Sequence, residues 1–435
     1  MKRRYGWWLA LAAIAVLALA ARFLMWRPAL APLAAPARID TALVEHGANL
    51  SRLGMCASCH TADPAKPFAG GLALATPFGT VYSTNITPDA RTGIGAWTEE
   101  AFTRAMRQGV ARDGHLLYPA FPYNHYAQLA QDDIRALYAY VMTRPALTAP
   151  ARDNDLHFPF GFRPLLAFWN LLYLDDAPWQ ADPRRSAEWN RGAYLSNALA
   201  HCSACHTPRT PLGGLDLQRQ LDGGDGGGWH APALNARSPS PIPWTREHLL
   251  HYLRTGIAPG HAIAAGPMQD VAAQLGQSDP QDVAAIATYI HGFLGQAPAR
   301  ATPAPMPGGL PVPADGGADA AQMRLGYQVY AMACARCHDA GRDAGHAFGS
   351  GSALPLQQAS ALYQPDPRNL LHIVREGIAP PGGEPGRAMP GFGALLDNAQ
   401  LTALAAYLRR YGAGAEPWPG LANGVEDSIQ EAKQP

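Results

Sequence analysis

The stretches CASCH at residues 56–60, CSACH at 202–206 and CARCH at 334–338 contain all six cysteines of the 435-residue chain. Each stretch repeats the pattern Cys-x-x-Cys-His, which is the attachment signature of c-type haem. In this pattern the two thiols bond to the haem vinyl groups, and the adjoining histidine ligates the iron from one side. The sequence therefore predicts three covalently bound haem c groups, and three such iron centres in one chain suggest an electron conduit.

The motif residues have two predicted roles. The predicted haem-attaching residues are Cys56, Cys59, Cys202, Cys205, Cys334 and Cys337, and the predicted proximal iron ligands are His60, His206 and His338. A structural zinc site fits poorly, because it would pair two Cys-x-x-Cys halves, or one half with a distant histidine pair, and the number of copies is odd. Thioredoxin-like chemistry needs a βαβ pattern that is absent here, and disulfides would leave the three histidines unexplained.

Length and charge limit the organisation and the partners. Because a domain commonly contains roughly 150 residues, a chain of 435 residues suggests about three domains, in agreement with the three motifs. The 34 Lys and Arg residues balance 34 Asp and Glu residues, and no basic stretch is interleaved with aromatic residues. We therefore expect no nucleic-acid partner.

The N-terminus has the layout of an export signal. Basic residues 2–4 precede an apolar run from Tyr5 to Ala21. Residues 18–20 (Ala-Leu-Ala) offer a cleavage site, whereas Trp26 and two earlier tryptophans resemble interfacial membrane anchors. We predict that residues 1–26 are a signal peptide or a membrane anchor. Either outcome places the remainder on the periplasmic side of a bacterial inner membrane.

The repeat extends beyond the cysteines. In each copy one helix precedes the motif, an amphipathic helix follows it, and a tyrosine-containing helix closes the copy. Thr98 and Thr245 are predicted N-caps of the amphipathic helices in the first two copies, and Gly109, Gly256 and Gly377 are predicted to end these helices. The helical periodicity of the closing segments and the lack of sustained strand alternation predict a mainly α chain.

The order of these elements resembles the small class I cytochrome c fold. We therefore predict three tandem class I cytochrome c domains after an N-terminal signal or anchor helix. The predicted boundaries are 40–150, 185–296 and 318–412 for the domains, 151–184 for an apolar linker, 297–317 for a Pro/Ala/Gly linker, and 413–435 for a C-terminal tail. Residues 158–174 of the apolar linker are too short and too interrupted by proline to span a bilayer. They form either a core shared between domains or an interfacial element that docks a membrane or a partner.

The repeat register predicts the second axial ligand of two haems. Met268 and Met389 each lie 12 residues after a helix-ending glycine, Gly256 and Gly377 respectively, and both are predicted to lie on the loop before the closing helix. A methionine thioether is a common sixth ligand in cytochromes c and raises the haem potential. A lone methionine is more often core packing, but the shared offset favours ligation, so Met268 and Met389 are the predicted distal ligands.

The first copy departs from this register. The equivalent position is Phe121, whose side chain cannot ligate iron. His125 is the nearest replacement, with His115 behind it, while Met106 lies on a helix before the loop. We predict His125 as the distal ligand of the first haem. The alternatives are an open distal side and an ordinary surface histidine at position 125.

Several strings carry a resemblance to a known family. Residues 67–71 (PFAGG), 76–89 (TPFGTVYSTNITPD), 92–97 (TGIGAW) and 117–120 (LYPA) resemble the trihaem cytochrome c subunits of bacterial membrane-associated dehydrogenase complexes, such as alcohol, gluconate and sorbitol dehydrogenases. The resemblance covers nearly all of residues 40–412. It implies a subunit that takes electrons from a catalytic dehydrogenase, which is a flavoprotein, a quinoprotein or a molybdenum hydroxylase. The electrons would pass to membrane ubiquinone or to a terminal cytochrome or oxidase.

One string departs from the family pattern. Residues 119–123 read PAFPY where the family has Pro-Ala-Met-Pro-Tyr, so the methionine of the first haem cannot be carried over. The Phe-Pro-Tyr-x-His version looks like the cytochromes that accompany molybdenum hydroxylases acting on aldehydes or N-heterocycles.

The competing function is a haem enzyme. An open first haem would allow peroxidase-like chemistry, and Phe121 is its only support. The chain lacks a flavin fingerprint, a nucleophile elbow and a phosphate-binding loop. Residues 223–228 are glycine-rich but follow no predicted strand and open no helix, so we predict a flexible loop there. The sequence therefore favours an electron-transfer subunit with no catalytic residues of its own.

Overall fold

The computed structural model is mainly α-helical, as predicted. It describes residues 12, 14–16, 19, 27–34, 40–258, 262–295, 309–314, 316–317, 319–339, 353–380 and 388–431. Most of the predicted signal or anchor segment (1–26) and of the Pro/Ala/Gly linker (297–317) lies outside these residues. Within the described part of the chain, every helix is too short or too polar to cross a bilayer.

The chain divides into two compact units. The first unit comprises Met1–Asp182, Asn197–His201 and Thr210–Gly214, and the second comprises Pro183–Ser196, Cys202–Arg209 and Leu215–Pro435. The first unit contains the first motif, and the second unit contains the second and third motifs. The three-domain organisation stays a prediction.

The first unit is helical with one small antiparallel sheet. Its helices are α1 (Thr41–Leu53), α2 (Cys56–His60), α3 (Glu99–Gln108), α4 (Tyr123–Tyr126), α5 (Gln131–Met142) and α6 (Leu166–Tyr173), with a 3₁₀ turn at Arg163–Leu165. Its strands are β1 (Ala73–Thr76), β2 (Gly79–Tyr82) and β3 (Asp155–Leu156), in the order β1-β2-β3. Ala73 pairs with Tyr82, and Gly79 pairs with both Thr76 and Leu156. These strands are too short to give the sustained alternation that a sequence pattern can detect.

The second unit contains ten helices among its described residues. They are α7 (Ala187–Tyr194), α8 (Ser203–His206), α9 (Arg246–Thr255), α10 (Pro267–Gly276), α11 (Pro280–Leu294), α12 (Ala320–Val329), α13 (Ala335–His338), α14 (Arg368–Glu376), α15 (Asn398–Tyr407) and α16 (Leu421–Glu431). Its strands are β4 (Gly224–Gly226), β5 (Trp229–Ala231), β6 (Ile257–Ala258) and β7 (Ala262–Ile263), which form two antiparallel pairs.

Short turns of other helical types complete the described structure. The 3₁₀ turns are Leu217–Arg219, Leu356–Gln358 and Ser360–Tyr363, and the π-helical turns are Leu195–Leu199, Tyr330–Cys334 and Leu408–Gly412. The turn Leu195–Leu199 precedes the second cysteine motif, and the turn Tyr330–Cys334 ends at the first cysteine of the third motif. Single π-helical turns are often found at functional sites.

The predicted helix ends are confirmed. Thr98 and Thr245 cap α3 and α9 by accepting hydrogen bonds from backbone N–H groups three residues further on. Gly109 and Gly256 end these helices in the left-handed conformation, and Gly377 ends α14 with a φ of 80°. These positions favour glycine, because any other residue would be strained at a positive φ.

One helix pair recurs in each copy. Helix α1 packs against α5, α7 against α11, and α12 against α15. A glycine lies at each crossing and allows the backbones to approach, because any Cβ there would clash with a carbonyl oxygen of the closing helix. The pairs are Gly47 with Ala136, Gly192 with Ala285, and Gly326 with Ala403.

Two segments differ from the sequence-based expectation. Residues 223–228 do not form a flexible loop, because residues 224–226 are strand β4 of a hairpin with β5. The predicted C-terminal tail contains helix α16, and its Leu421 and Val425 are buried in the hydrophobic core of the third copy. Strand β4 depends on pairing with β5, and helix α16 depends on packing against α14 and α15.

The apolar linker is largely exposed. Within α6 the buried residue is Ala167, which packs against Val110 and Leu116. The exposed large apolar side chains of the segment are those of Phe158, Phe160, Phe162, Leu165, Phe168, Leu171 and Leu172. Their exposure favours an interfacial or docking element over a core shared between domains.

Candidate haem-binding sites

The histidines of the three motifs share one local geometry. In each motif the imidazole Nδ1 hydrogen-bonds to a backbone carbonyl oxygen from a later loop or strand end. The pairs are His60 with Thr84 at 2.7 Å, His206 with Pro232 at 2.7 Å, and His338 with Leu354 at 2.9 Å. A carbonyl oxygen can only accept, so Nδ1 carries the proton and Nε2 keeps the lone pair that binds a metal.

Desolvation keeps these imidazoles neutral. It lowers the pKa of His60, His206 and His338 below the ordinary value, and the hydrogen bond to the carbonyl oxygen partly opposes this effect. Neutral imidazole is the form that coordinates iron. The three side chains are therefore oriented and protonated as axial ligands require.

The thiols of the motifs remain available for covalent attachment. All six cysteines lie among the described residues, and none is in a disulfide. Burial raises the pKa of Cys56, Cys202 and Cys334 to about 11, so these thiols stay protonated at neutral pH. The second cysteine of each motif is exposed: Cys59, Cys205 and Cys337.

This donor set fits haem better than a simple metal ion. Porphyrin nitrogens supply four iron ligands, so the chain needs to provide one or two more. A structural zinc ion would instead need about four protein ligands close together. Among the described residues, no group of three or more His, Cys, Asp or Glu side chains is arranged to hold a metal.

Helix α4, which contains the predicted distal ligand of the first haem, lies beside the first motif. Burial raises the pKa of Tyr126, and the nearby thiols of Cys56 and Cys59 add to this rise. The rings of Tyr126 and Phe121 are 5.4 Å apart. The short helix α4, which contains His125, therefore lies close to the first motif.

His125 is not a surface histidine. Its side chain is 7% exposed, and its Nδ1 lies 2.8 Å from the Asn197 carbonyl oxygen. This is the same arrangement that holds the three motif histidines, and it orients Nε2 in the same manner. His115, by contrast, is 44% exposed at its side chain and pairs with Asp113. Ligation of the first haem by His125 stays a prediction.

A second buried histidine, His201, lies beside His125 and was not singled out from the sequence. It lies within the first unit, and its ring centroid is 6.1 Å from that of His125. Its pKa falls to about 4, first because of burial and then because of His125, although a hydrogen bond to the backbone of Gly54 opposes the fall. Its position directly before Cys202 was the only signal in the sequence.

The two predicted methionine ligands lie in different local structures. Met268 is half-buried in the first turn of α10, not on a loop as expected from the sequence. Met389 lies on the loop between α14 and α15, and its backbone pairs with Ile378 through two hydrogen bonds of 2.9 and 3.0 Å. Both side chains stay predicted ligands.

Comparisons with known proteins agree with the haem assignment. Residues 321–408 match the family model "Cytochrome C oxidase, cbb3-type, subunit III". The gluconate 2-dehydrogenase cytochrome c subunit of Pantoea cypripedii is 36% identical over 87% of this chain and 87% of that protein. The fructose dehydrogenase cytochrome subunit of Gluconobacter japonicus is 34% identical over 86% of this chain and 80% of that protein.

A further relative differs in length. One of the nicotinate dehydrogenase subunits of Pseudomonas putida is 42% identical over 97% of this chain. The chain spans 35% of the length of that relative.

Proposed function

Because the chain belongs to the family of cytochrome c subunits of bacterial dehydrogenase complexes, we propose that it binds three haem c groups and conducts electrons from a catalytic subunit. The observation that carries this proposal is the common geometry of the three motif histidines, each with Nδ1 on a carbonyl oxygen. Haem iron, when bound, alternates between the ferric and ferrous states and carries one electron at a time.

The chain's own residues attach the haems and tune them. The six motif cysteines form the thioether bonds, and the motif histidines bind iron through Nε2. Met268 and Met389 serve as distal ligands in the second and third copies, and His125 does so in the first. A His/His haem has a lower potential than a His/Met haem, so electrons would move from the first copy towards the other two. Each copy forms one cytochrome c domain.

We propose a molybdenum hydroxylase that acts on an N-heterocycle as the catalytic partner. The support is the 42% identity to a nicotinate dehydrogenase subunit over 97% of this chain. The Phe-Pro-Tyr-x-His string at residues 121–125 points to the same class. Flavoprotein and quinoprotein partners remain the alternatives that the experiment below distinguishes.

We also propose that the chain works on the periplasmic face of the membrane and contacts lipid through residues 158–174. Leu30, just after the predicted signal or anchor segment, exchanges two hydrogen bonds with Arg112, at 2.8 and 3.1 Å. Helix α6 packs on Val110 and Leu116 of the same loop. Leu30 and the exposed apolar helix α6 therefore both contact one loop of the first unit, which supports a shared lipid surface. Ubiquinone or a terminal oxidase accepts the electrons.

Purification from the native membrane tests the proposal. The chain is isolated in mild detergent, its haem content is measured by the pyridine haemochrome assay, and co-purifying subunits are identified by mass spectrometry. We expect three haems per chain and a partner that contains molybdopterin and iron–sulfur clusters. Substrate of the partner should reduce all three haems. Fewer haems, or no reduction by any co-purified dehydrogenase, would contradict the proposed function. The peroxidase-like alternative still rests on Phe121 alone and requires a high-spin ferric spectrum.

A further inference from the structure

The β4–β5 hairpin covers the second motif. A Cβ at Gly226 would lie 2.8 Å from Cys205 Sγ, and one at Gly224 would lie 2.6 Å from the Cys205 carbonyl oxygen. Immediately after β5, Pro232 offers the carbonyl oxygen that holds His206. The hairpin therefore contacts both the attachment thiol and the proximal ligand of the second site.

The same hairpin binds helix α14 of the third copy. The His230 N–H donates to Asn369 Oδ1 at 2.9 Å, and Asn369 Nδ2 donates to the His230 carbonyl oxygen at 2.7 Å. Arg368 lies 2.9 Å from Asp225, and the Trp229 ring stacks on His372 with centroids 4.9 Å apart and an interplanar angle of 24°. Backbone, charged and aromatic contacts thus join the two elements.

Helix α14 leads directly into the loop that contains Met389, the predicted distal ligand of the third haem. Leu371 of α14 is fully buried in the core of the third copy. The helix ends at Gly377, and the next residue, Ile378, forms the backbone pair with Met389. A displacement of α14 would therefore displace the predicted distal ligand of the third haem.

A second contact directly links the segments that lie beside the two predicted methionine ligands, Met268 and Met389. Gln269, the residue after Met268, donates from Nε2 to the Ala379 carbonyl oxygen at 2.9 Å. The Trp229 ring also packs against Gly266, where a Cβ would approach it to 2.3 Å. Trp229 thus contacts Gly266, two residues before Met268 in the second copy, and also helix α14 of the third copy.

We propose that β4, β5 and α14 form a clasp that holds the second and third haem sites at one fixed separation for electron exchange, with Trp229 and Asn369 as its positioning residues. This inference rests on the proposed function, since it takes both sites as haem sites. The step it serves moves one electron from the iron held at one site to the iron held at the other, so that one is oxidised and the other reduced, with no bond made or broken.

The clasp is tested by a distance measurement on the full-length haem-loaded chain. Leu217 and Leu395 are 70% and 73% exposed, so cysteines introduced there accept gadolinium spin labels while the native cysteines are bound in thioethers. Pulsed electron paramagnetic resonance then gives the distribution of label separations in the ferrous, diamagnetic protein. We expect a single narrow distribution for the parent.

Variants of the clasp should broaden this distribution. Asn369→Ala and Trp229→Ala remove the paired hydrogen bonds and the stacked ring, whereas Trp229→Phe keeps an aromatic ring and should remain narrow. Asn235→Ala is the matched control, because Asn235 bonds to Asp222 within the second copy. After flash reduction, the two clasp-breaking variants should show about tenfold slower electron equilibration, since small errors in positioning lower rates strongly.

Two results would overturn the clasp. One is a broad distribution in the parent, and the other is a narrow distribution with unchanged equilibration in the Asn369→Ala, Trp229→Ala double variant. Failure of the proposed function has a different signature: without haem attachment, the native thiols of the parent would take up additional labels, and mass spectrometry would count them. The two failures are therefore distinguishable.

Discussion

A Cβ placed on Gly47 of α1 would lie 1.9 Å from the Ala136 carbonyl oxygen of α5. The corresponding distances are 1.9 Å for Gly192 and Ala285, and 2.2 Å for Gly326 and Ala403. In all three cases the closing helix presents a tyrosine Cβ four residues later, within 2.5–2.9 Å of the same point. The three copies are therefore built around the same contact between the helix that precedes the motif and the tyrosine-containing helix.

This contact predicts a stability effect. Gly47→Ala should force α1 and α5 apart and destabilise the first copy by about 1–3 kcal/mol, the usual cost of overpacking. Thermal unfolding followed by circular dichroism measures the effect. Gly161→Ala is the control, because a Cβ there meets no atom within 4 Å. Equal melting temperatures for both variants would show that the close approach is not important for stability.

Removal of a proximal histidine should change the spin state of one haem. His206→Ala should leave the haem attached through Cys202 and Cys205 but convert one of the three haems to a high-spin ferric form. Electron paramagnetic resonance measures the spin state, and haem staining after denaturation measures attachment. His46→Ala is the control, because His46 pairs with Asp133 outside any motif. A fully low-spin spectrum in the His206→Ala protein would argue against iron ligation by His206.

The distal ligands predict the ligand pattern of the oxidised chain. Near-infrared magnetic circular dichroism should show one His/His and two His/Met haems, and His125→Ala should remove the His/His signal. His115→Ala, at the more exposed alternative position, should leave the spectrum unchanged. Three His/Met signals in the parent would disprove the assignment of His125.

The salt bridge at the clasp predicts a pH dependence. The pKa of Asp225 lies below its ordinary value of 3.8, first because of the hydrogen bond from His230 and also because of Arg368, which Asp366 faces from the other side. A depressed carboxyl pKa stabilises the fold above pH 3.8 and loses this effect as the pH falls through the folded-state pKa. Because Asp225 is partly exposed, the contribution should stay below about 1 kcal/mol.

Asp225→Asn tests this dependence. Its melting temperature should lie slightly below that of the parent at neutral pH, and the difference should vanish well below pH 3.8. A difference that stays constant over this range would mean that the carboxylate charge is not the cause.

The exposed face of α6 predicts membrane binding. Leu171→Glu and Leu172→Glu replace side chains that are each 64% exposed. If they enter lipid, the loss of about 1.5–3 kcal/mol per buried side chain should lower vesicle binding at least tenfold. Co-sedimentation with phosphatidylethanolamine and phosphatidylglycerol vesicles measures this binding. Leu217→Glu and Leu395→Glu are controls at sites that are 70% and 73% exposed, and a similar loss in the controls would reject α6 as the lipid contact.

Much of the local structure was predictable because it depends on residues close in the chain. The caps at Thr98 and Thr245 and the terminal glycines of α3 and α9 were assigned correctly, since each is satisfied within one helical turn. The cysteine motif is likewise a local signal, in which five consecutive residues specify the attachment chemistry.

The errors share a physical cause. Strand β4 is stabilised by pairing with β5 and by contacts with α14, more than 130 residues away in the chain. Helix α16 packs on α14 and α15. Met268 lies in the first turn of α10, just after Gly266, which packs closely against the Trp229 ring. None of these contacts leaves a periodic pattern in the segment itself.

The sequence by itself determined the haem chemistry, the helical class and the number of motif copies, because covalent attachment and helix capping are encoded over short spans. Only the tertiary structure decided which carbonyl oxygen orients each motif histidine, that His125 is buried beside His201, and that the β4–β5 hairpin joins the second motif to α14. These relationships form when distant segments bury their polar groups together, and each buried group then requires a partner that the local sequence does not specify.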